Sequence, residues 1–435
     1  MSTAEISLDV VRELRAICGE EYVGDESSVL KGRADDPDRK FARELLETYK
    51  TVTPGSAEEI SAILRLANER GFNVRPAGGR TKQTPQWGGP VVVVNTNRLT
   101  AVEHYDPADL TVGIGAGMTV AHLNAMVGQD QLMFGGDPPF GDRGTVGGLL
   151  ATASHGPLRH GYGAVRDYCI GVRFVTGDGR LAKGGGRVVK NVAGYDLMKL
   201  LIGSHGTLAV ITSASFKLFP APRQTKTFVC EFATWEEALK FRDVMRRSAL
   251  APMCMELVSP AARRLIRREA MSDTWAICVR ASGSDAVLTR YRQGLGPAVT
   301  REVVGEKETD LWQGIENCCE RERMHVRMDV IVPPGRVACV LKTLDDITDQ
   351  RFGYAAVGRI GLGHLRVFTP KGTIGGTQPA NVFISKLREQ VKTEMGVTVE
   401  SWVTPWPIAP PHLASMRAVK QALDPNNILF GRAIF

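Results

Sequence analysis

Two clusters of side chains in this 435-residue chain have the types and spacing to hold an anion. In PAGGRTK (76–82), the paired Gly78 and Gly79 let the backbone fold closely enough for consecutive N–H groups to point at one anion. Arg80, Thr81 and Lys82 add two cations and a hydroxyl, which together make a pyrophosphate cradle. Further along, in DPPFGDRGTVGGLLAT (137–152), Thr145 offers a hydroxyl. Gly147 and Gly148 offer two positions where the missing Cβ would let a planar ring press on the main chain. A third block, KNVAGYDLMKLLIGSHGTLAVIT (190–212), reads as a short helix ended by Gly203, a turn and a strand.

The elements that must position these clusters alternate between strand and helix. An N-terminal helix and a polar connector (1–48) precede a short strand at TYKTV. Residues 57–70 then carry apolar side chains at 60, 63, 64 and 67, one face of a helix, with Glu58 and Glu59 in its first turn and Gly71 as its C-cap. VVVVNT (91–96) and LTVGIGAG (110–117) read as strands, and a helix follows from Thr119 to Val127, capped by Gly128. The glycines of GIGAG suggest a dinucleotide fold, but Met118 stands where the third glycine should be and no acidic residue follows at the required distance. They are read as a tight strand-to-helix turn. PAPR (220–223) marks a boundary. Beyond it, TFVCEF, a helix over 235–248, TWAICVRASG and a helix over 285–294 give a separate α+β texture. A last helix over 412–423 leads into DPNNILFGR, which is expected to return to the first domain.

Composition excludes several classes. Apolar content of 43% and charged content of 23% are those of an ordinary globular protein, and the length calls for two domains. The net charge of +7 includes a local cluster at Arg263, Arg264, Arg267 and Arg268; without a recognition motif it reads as a solvated helix face rather than a nucleic-acid surface. The N-terminal residues lack the basic and apolar regions of a signal peptide. The longest apolar stretch, 197–219, is broken by Lys199, His205 and Lys217. A cytoplasmic protein is expected, peripheral to a membrane only through partners. Eight cysteines without C-x-x-C spacing exclude an iron–sulfur cluster built by this chain alone, and vicinal Cys318 and Cys319 are given no role.

In their order, these blocks resemble the FAD-binding domain of the vanillyl-alcohol oxidase and p-cresol methylhydroxylase superfamily. DPPFGDRGTVGG, SHGP with YGAVRD, and KNVAGYDL-x-KL-x-x-GS-x-GTL are similar to the FAD-binding subunit of bacterial glycolate oxidase. The resemblance implies an α+β protein: a two-subdomain FAD-binding domain of the p-cresol methylhydroxylase (PCMH) type over 49–222, a cap over 223–411, and a returning segment over 412–435. It implies that Pro76, Gly78, Gly79, Arg80 and Thr81 hold the pyrophosphate. Pro138, Thr145, Gly147, Gly148 and Ala151 would line the ribityl chain and ring, and Ile211 would lie beside the adenine half. His155 stands beside the flavin where distant relatives have glycine, and Ala209 replaces a usual glycine. Relatives that tether FAD covalently do so through a histidine in the first loop. Arg80 stands there, so FAD is expected to be non-covalent.

Oxidation of a 2-hydroxy acid needs a cation for the carboxylate and a base for the hydroxyl proton. Catalytic members of the superfamily carry H-x-G-D-G-N-x-H on a cap strand. Here the corresponding segment has Leu362 at the aspartate, His364 at the asparagine and Arg366 at the last histidine, so no metal site is expected. Arg327, Arg359 and Arg366 are candidate carboxylate anchors and His325 and His364 candidate bases, each equally explained as an ordinary strand charge or ion-pair partner. Two functions follow. One is an accessory FAD subunit working beside a catalytic FAD subunit and an iron–sulfur subunit of a glycolate oxidase-like complex; the other is a self-sufficient FAD-dependent 2-hydroxy-acid dehydrogenase. A flavin-binding subunit without a redox role is a third.

Overall fold

The computed structural model of the chain describes residues 6–25, 49–81, 90–186, 196–267, 273–318, 324–348, 354–370, 389, 398–401 and 412–429. The chain forms two compact units. The first comprises Met1–His155, Ala164–Pro220 and Ile408–Phe435, and the second Gly156–Gly163 and Ala221–Pro407.

Among the described residues the first unit contains two main sheets. One has the strand order Val23–Asp25, Lys50–Val52, Val91–Asn95, Asn73–Ala77, with the last three parallel. Helix Ala57–Arg70 makes the crossover between two of these strands, and its ends are set by sequence. The Ser56 side chain accepts from the Glu59 amide at 3.1 Å, and Gly71 closes the helix at φ 73°. Its buried face, Ile60, Ile63, Leu64 and Ala67, packs with Val52, Val74, Val92 and Val94. Each fully buried Ile, Leu or Val contributes about 1.5–3 kcal/mol. Ile428 and Leu429 join this core, and Val74 bridges Leu429 in parallel.

The other sheet of this unit is antiparallel, in the order Val102–Asp106, Thr111–Gly115, Ala209–Lys217, Cys169–Thr176, Leu181–Gly185. Helices Val120–Gly128, Val146–Ala151 and Leu197–Leu201 contribute to its core. Of GIGAG, only Ala116 and Gly117 lie in the turn towards the next helix that the sequence suggests. Gly113 and Gly115 lie within the second strand, and a Cβ there would collide with the His104 ring and the Leu99 carbonyl. Their role is close backbone approach. Nor does Gly128 cap its helix; it is the last helical residue, and Gln129 follows as C-cap.

The second unit is built on an antiparallel sheet of eight described strands: Val299–Val303, Thr225–Phe232, Trp275–Ser282, Cys254–Val258, Ala355–Arg359, His364–Pro370, Met324–Ile331 and Thr398–Ser401. Helices Trp235–Arg247, Asp285–Leu295 and Val337–Ile347 pack on it through Leu239, Leu288, Tyr291, Val340 and Leu341. In helix Pro260–Arg267, Arg263 turns inward to Glu231 and Thr274, while Arg264 pairs with Asp273 at the surface. The expected solvated face therefore holds for Arg264 and not for Arg263. The Arg267 side chain and Arg268 lie outside the described residues. Cys318 is buried, and Cys319 lies outside the described residues. No described helix is long and apolar enough to cross a membrane.

Candidate functional site

A cleft with about 1050 Å³ of empty space, open to solvent, lies between the two sheets of the first unit. One wall is the end of strand Asn73–Ala77 and the loop after it, Gly78 to Thr81, with Thr96 beside it. The other is Pro138 and Pro139, the helix Val146–Ala151 with its N-cap Thr145, the turn His205–Gly206, and Ala209 to Ile211 at the start of their strand. Of the twelve positions that the sequence nominates for a cofactor, Pro76, Gly78, Gly79, Arg80, Thr81, Pro138, Thr145, Gly147, Gly148, Ala151 and Ile211 line this cleft. His155 is half-buried and is not among the lining residues. Lys82 and residues 190–195 of the third block lie outside the described residues. Ala209 pairs with Thr176 in the strand, and the irregularities in this pairing fall later, between Ile211 and Ser213 and between Ser215 and Phe216.

Local geometry separates glycines that serve the fold from one that serves the cleft. A Cβ on Gly79 would occupy the position of the Arg143 carbonyl, and one on Gly78 would meet the Thr145 hydroxyl. On Gly147 it would sit 2.9 Å from the Ala116 Cβ. These three let the two walls and the strand behind them close together. Gly148 differs: apart from the Thr145 hydroxyl at 3.2 Å, a Cβ there would meet nothing of the protein. It opens onto the cleft, as a position pressed by a flat ligand requires. The Thr145 hydroxyl accepts from the Gly148 amide at 3.2 Å, so it acts as a helix cap. Arg80 (φ 55°) and His205 (φ 55°) both hold left-handed backbone conformations on the cleft walls, and such conformations concentrate at ligand sites. His205 and Gly206 were missed in the sequence because S-H-G between a helix and a strand looks like an ordinary turn.

Three of the five candidates in the second unit come together away from solvent. Arg359 (2% exposed), His364 (2%) and Arg366 (5%) sit with Glu256 (0%) and Asp329 (8%). Arg359 Nε donates to Glu256 Oε1 at 2.8 Å, and its Nη1 lies 3.0 Å from His364 Nδ1. A guanidinium can only donate, so Nδ1 accepts and the proton sits on Nε2, which donates to Asp329 Oδ1 at 2.8 Å. Arg366 Nε donates to the same oxygen at 3.1 Å. Burial, with Arg359 and Arg366 beside it, lowers the His364 pKa to about 4 against the pull of Asp329, so the imidazole is neutral. Burial also raises the Glu256 carboxyl above its usual range, opposed by Arg359. His160 lies beside Gly361, 2.8 Å from where a Cβ there would stand, and burial and Arg359 lower its pKa. Arg327 and His325 are on strand Met324–Ile331, but their side chains lie outside the described residues. No group of three or more His, Cys, Asp or Glu side chains among the described residues is arranged to hold a metal ion.

Comparison with known proteins agrees with this architecture. Residues 50–185 match the FAD binding domain, and residues 221–370 and 400–430 match the C-terminal domain of FAD linked oxidases. The chain is 28% identical to a D-lactate dehydrogenase of Archaeoglobus fulgidus over 91% of its own length and 94% of that protein. It is 32% identical to the glycolate oxidase subunit GlcE of Escherichia coli over 45% of its length and 52% of that subunit. The structure of p-cresol methylhydroxylase with substrate bound superposes with a TM-score of 0.72 at 14% identity, covering 97% of this chain and 95% of that one. An FAD-binding domain of two α/β subdomains, followed by the C-terminal domain of FAD-linked oxidases on an α+β frame of the PCMH type, makes this chain an FAD-dependent oxidoreductase.

Proposed function

We propose that this chain is the FAD-binding subunit of a glycolate oxidase-like complex that oxidises a small 2-hydroxy acid. It would work beside a catalytic flavoprotein and an iron–sulfur subunit. FAD would lie in the cleft of the first unit, with the pyrophosphate on Pro76 to Thr81 and the ribityl chain and ring along Pro138, Thr145, Gly147, Gly148 and Ala151. Two features support that placement: the opening at Gly148 and the cation at Arg80. Bound FAD supplies a two-electron acceptor for oxidation at a C–H bond. The chain's own residues hold it without a covalent bond and shape the wall beneath it.

One observation carries the accessory role. Arg359 and Arg366, which would otherwise anchor a substrate carboxylate, are committed to Glu256 and Asp329 inside the second unit. His364 is held neutral between them with its basic nitrogen turned to Arg359. A substrate carboxylate would have to displace a buried partner from either arginine, which costs several kcal/mol for each charge left unpaired.

A second reading is favoured by the near full-length similarity to the archaeal D-lactate dehydrogenase: this chain would then oxidise a 2-hydroxy acid unaided. The anaerobic absorbance spectrum of the purified holoprotein separates the two. A flavin band that stays oxidised on addition of glycolate and of D-lactate is the expected result. Bleaching by either acid would establish the self-sufficient enzyme.

A further inference from the structure

Two parts of the cleft are tied to one ammonium group beneath it. Lys420, on helix Leu413–Leu423, is 8% exposed. Its Nζ donates to the Thr207 carbonyl at 2.7 Å and to the Leu429 carbonyl at 3.0 Å, and forms an ion pair with Asp424, itself 1% exposed. The two carbonyls belong to segments that support opposite walls. Thr207 closes the turn that presents His205 and Gly206 to the cleft, a turn with successive left-handed residues at φ 55° and 76°. Leu429 bridges Val74 in the strand that runs into Pro76 and Gly78 to Thr81, and the Val74 amide donates to the Ile428 carbonyl at 2.8 Å. Asp424 fixes the other end of the same bridge, accepting from the Ile428 amide at 3.0 Å and the Leu429 amide at 2.8 Å. Where the walls touch, a Cβ on Gly206 would lie 3.3 Å from the Pro76 ring. A ligand spanning both walls needs this spacing held in advance, and the Lys420–Asp424 pair ties the segments behind both walls to one point.

We propose that Lys420 and Asp424 are positioning residues for the cofactor: their pair fixes the separation of the two cleft walls and thereby sets FAD affinity. The proposal rests on the reading that FAD occupies this cleft. Linkage then requires the converse, that bound FAD holds the segment 424–429 in place. Removing both charges together, in Lys420→Met/Asp424→Asn, avoids leaving one buried alone.

FAD is titrated into the deflavinated full-length protein, with flavin fluorescence as the signal, for the wild type, this double variant and Gly148→Val. Hydrogen exchange is followed in the wild type with and without FAD. The expected result is at least a tenfold rise in the FAD Kd of the double variant with its thermal transition kept. FAD should also slow exchange at Thr207, Ile428 and Leu429 more than in helix Ala57–Arg70. Wild-type affinity in the double variant while Gly148→Val loses FAD would overturn the tie and leave the cleft standing. Unaltered FAD binding in Gly148→Val would overturn the cleft reading and the tie with it. If the double variant does not fold, the wild-type exchange decides, and absence of FAD-dependent protection at Ile428 and Leu429 overturns the proposal.

Discussion

Gly79 and Gly148 answer two different demands with the same residue type. A side chain at Gly79 would strike the Arg143 main chain, whereas at Gly148 it would enter open cleft. Gly79→Val is therefore expected to lower the melting temperature of the apoprotein. Gly148→Val should leave that temperature near wild type while FAD retention, read from the flavin-to-protein absorbance ratio, is lost. Equal melting temperatures for the two would contradict the assignment. His364 gives a second test at this scale. Its folded pKa of about 4 lies below the unfolded value of 6.5, so between these pH values the unfolded chain binds more protons and stability rises with pH. The contribution is fully present above pH 6.5 and is lost as the pH falls toward 4, on the order of 3 kcal/mol. Urea unfolding between pH 4 and 7 should show this slope in the wild type and a shallower one in His364→Gln. Glycine spacing made the cleft walls legible in the sequence. It did not tell cleft glycines from packing glycines, because that depends on what lies behind each Cα in space.

At the scale of elements, helices with a strong apolar period and an explicit cap were readable. Residues 57–70 show it, with Ser56 and Gly71 at the ends. Strand Val102–Asp106 and helices Glu306–Glu316 and Val337–Ile347 were not identified. The strand is largely exposed and has no buried alternation to betray it. The partnership of Glu256 with Arg359 was equally invisible, since it arises from pairing of strands Cys254–Val258 and Ala355–Arg359. That pairing makes a prediction about the element. Arg359→Met leaves Glu256 buried without its counter-charge, and about 3–5 kcal/mol of stability should be lost in urea unfolding. Glu256→Leu with Arg359→Met should recover most of it. If the double variant is no more stable than the single, the ion pair is not what the two strands depend on.

For the whole molecule, the division into units does not follow the chain. Residues 156–163 sit within the stretch that the sequence assigns to the FAD-binding domain, yet they belong to the second unit, where Gly161 packs against the Met253 main chain. Sequence texture changes at residue 220 and hides this earlier excursion. A fragment of residues 1–220 would lack both Lys420 and the Leu429 bridge, and its 156–163 loop would lack a sheet to pack on. It is expected to show no cooperative thermal transition and no bound flavin; a sharp transition with a flavin band would contradict this.

The Val74–Leu429 bridge also orders events during synthesis. The first sheet is translated early, but the segment that completes it is made only after the second unit's residues, up to 407, have been made. All of the second unit's residues are therefore made before the segment that bridges Val74. Until then the nascent first unit has an exposed sheet edge and an unfilled core position at Leu429, so stable cofactor binding is expected only once that segment has been made.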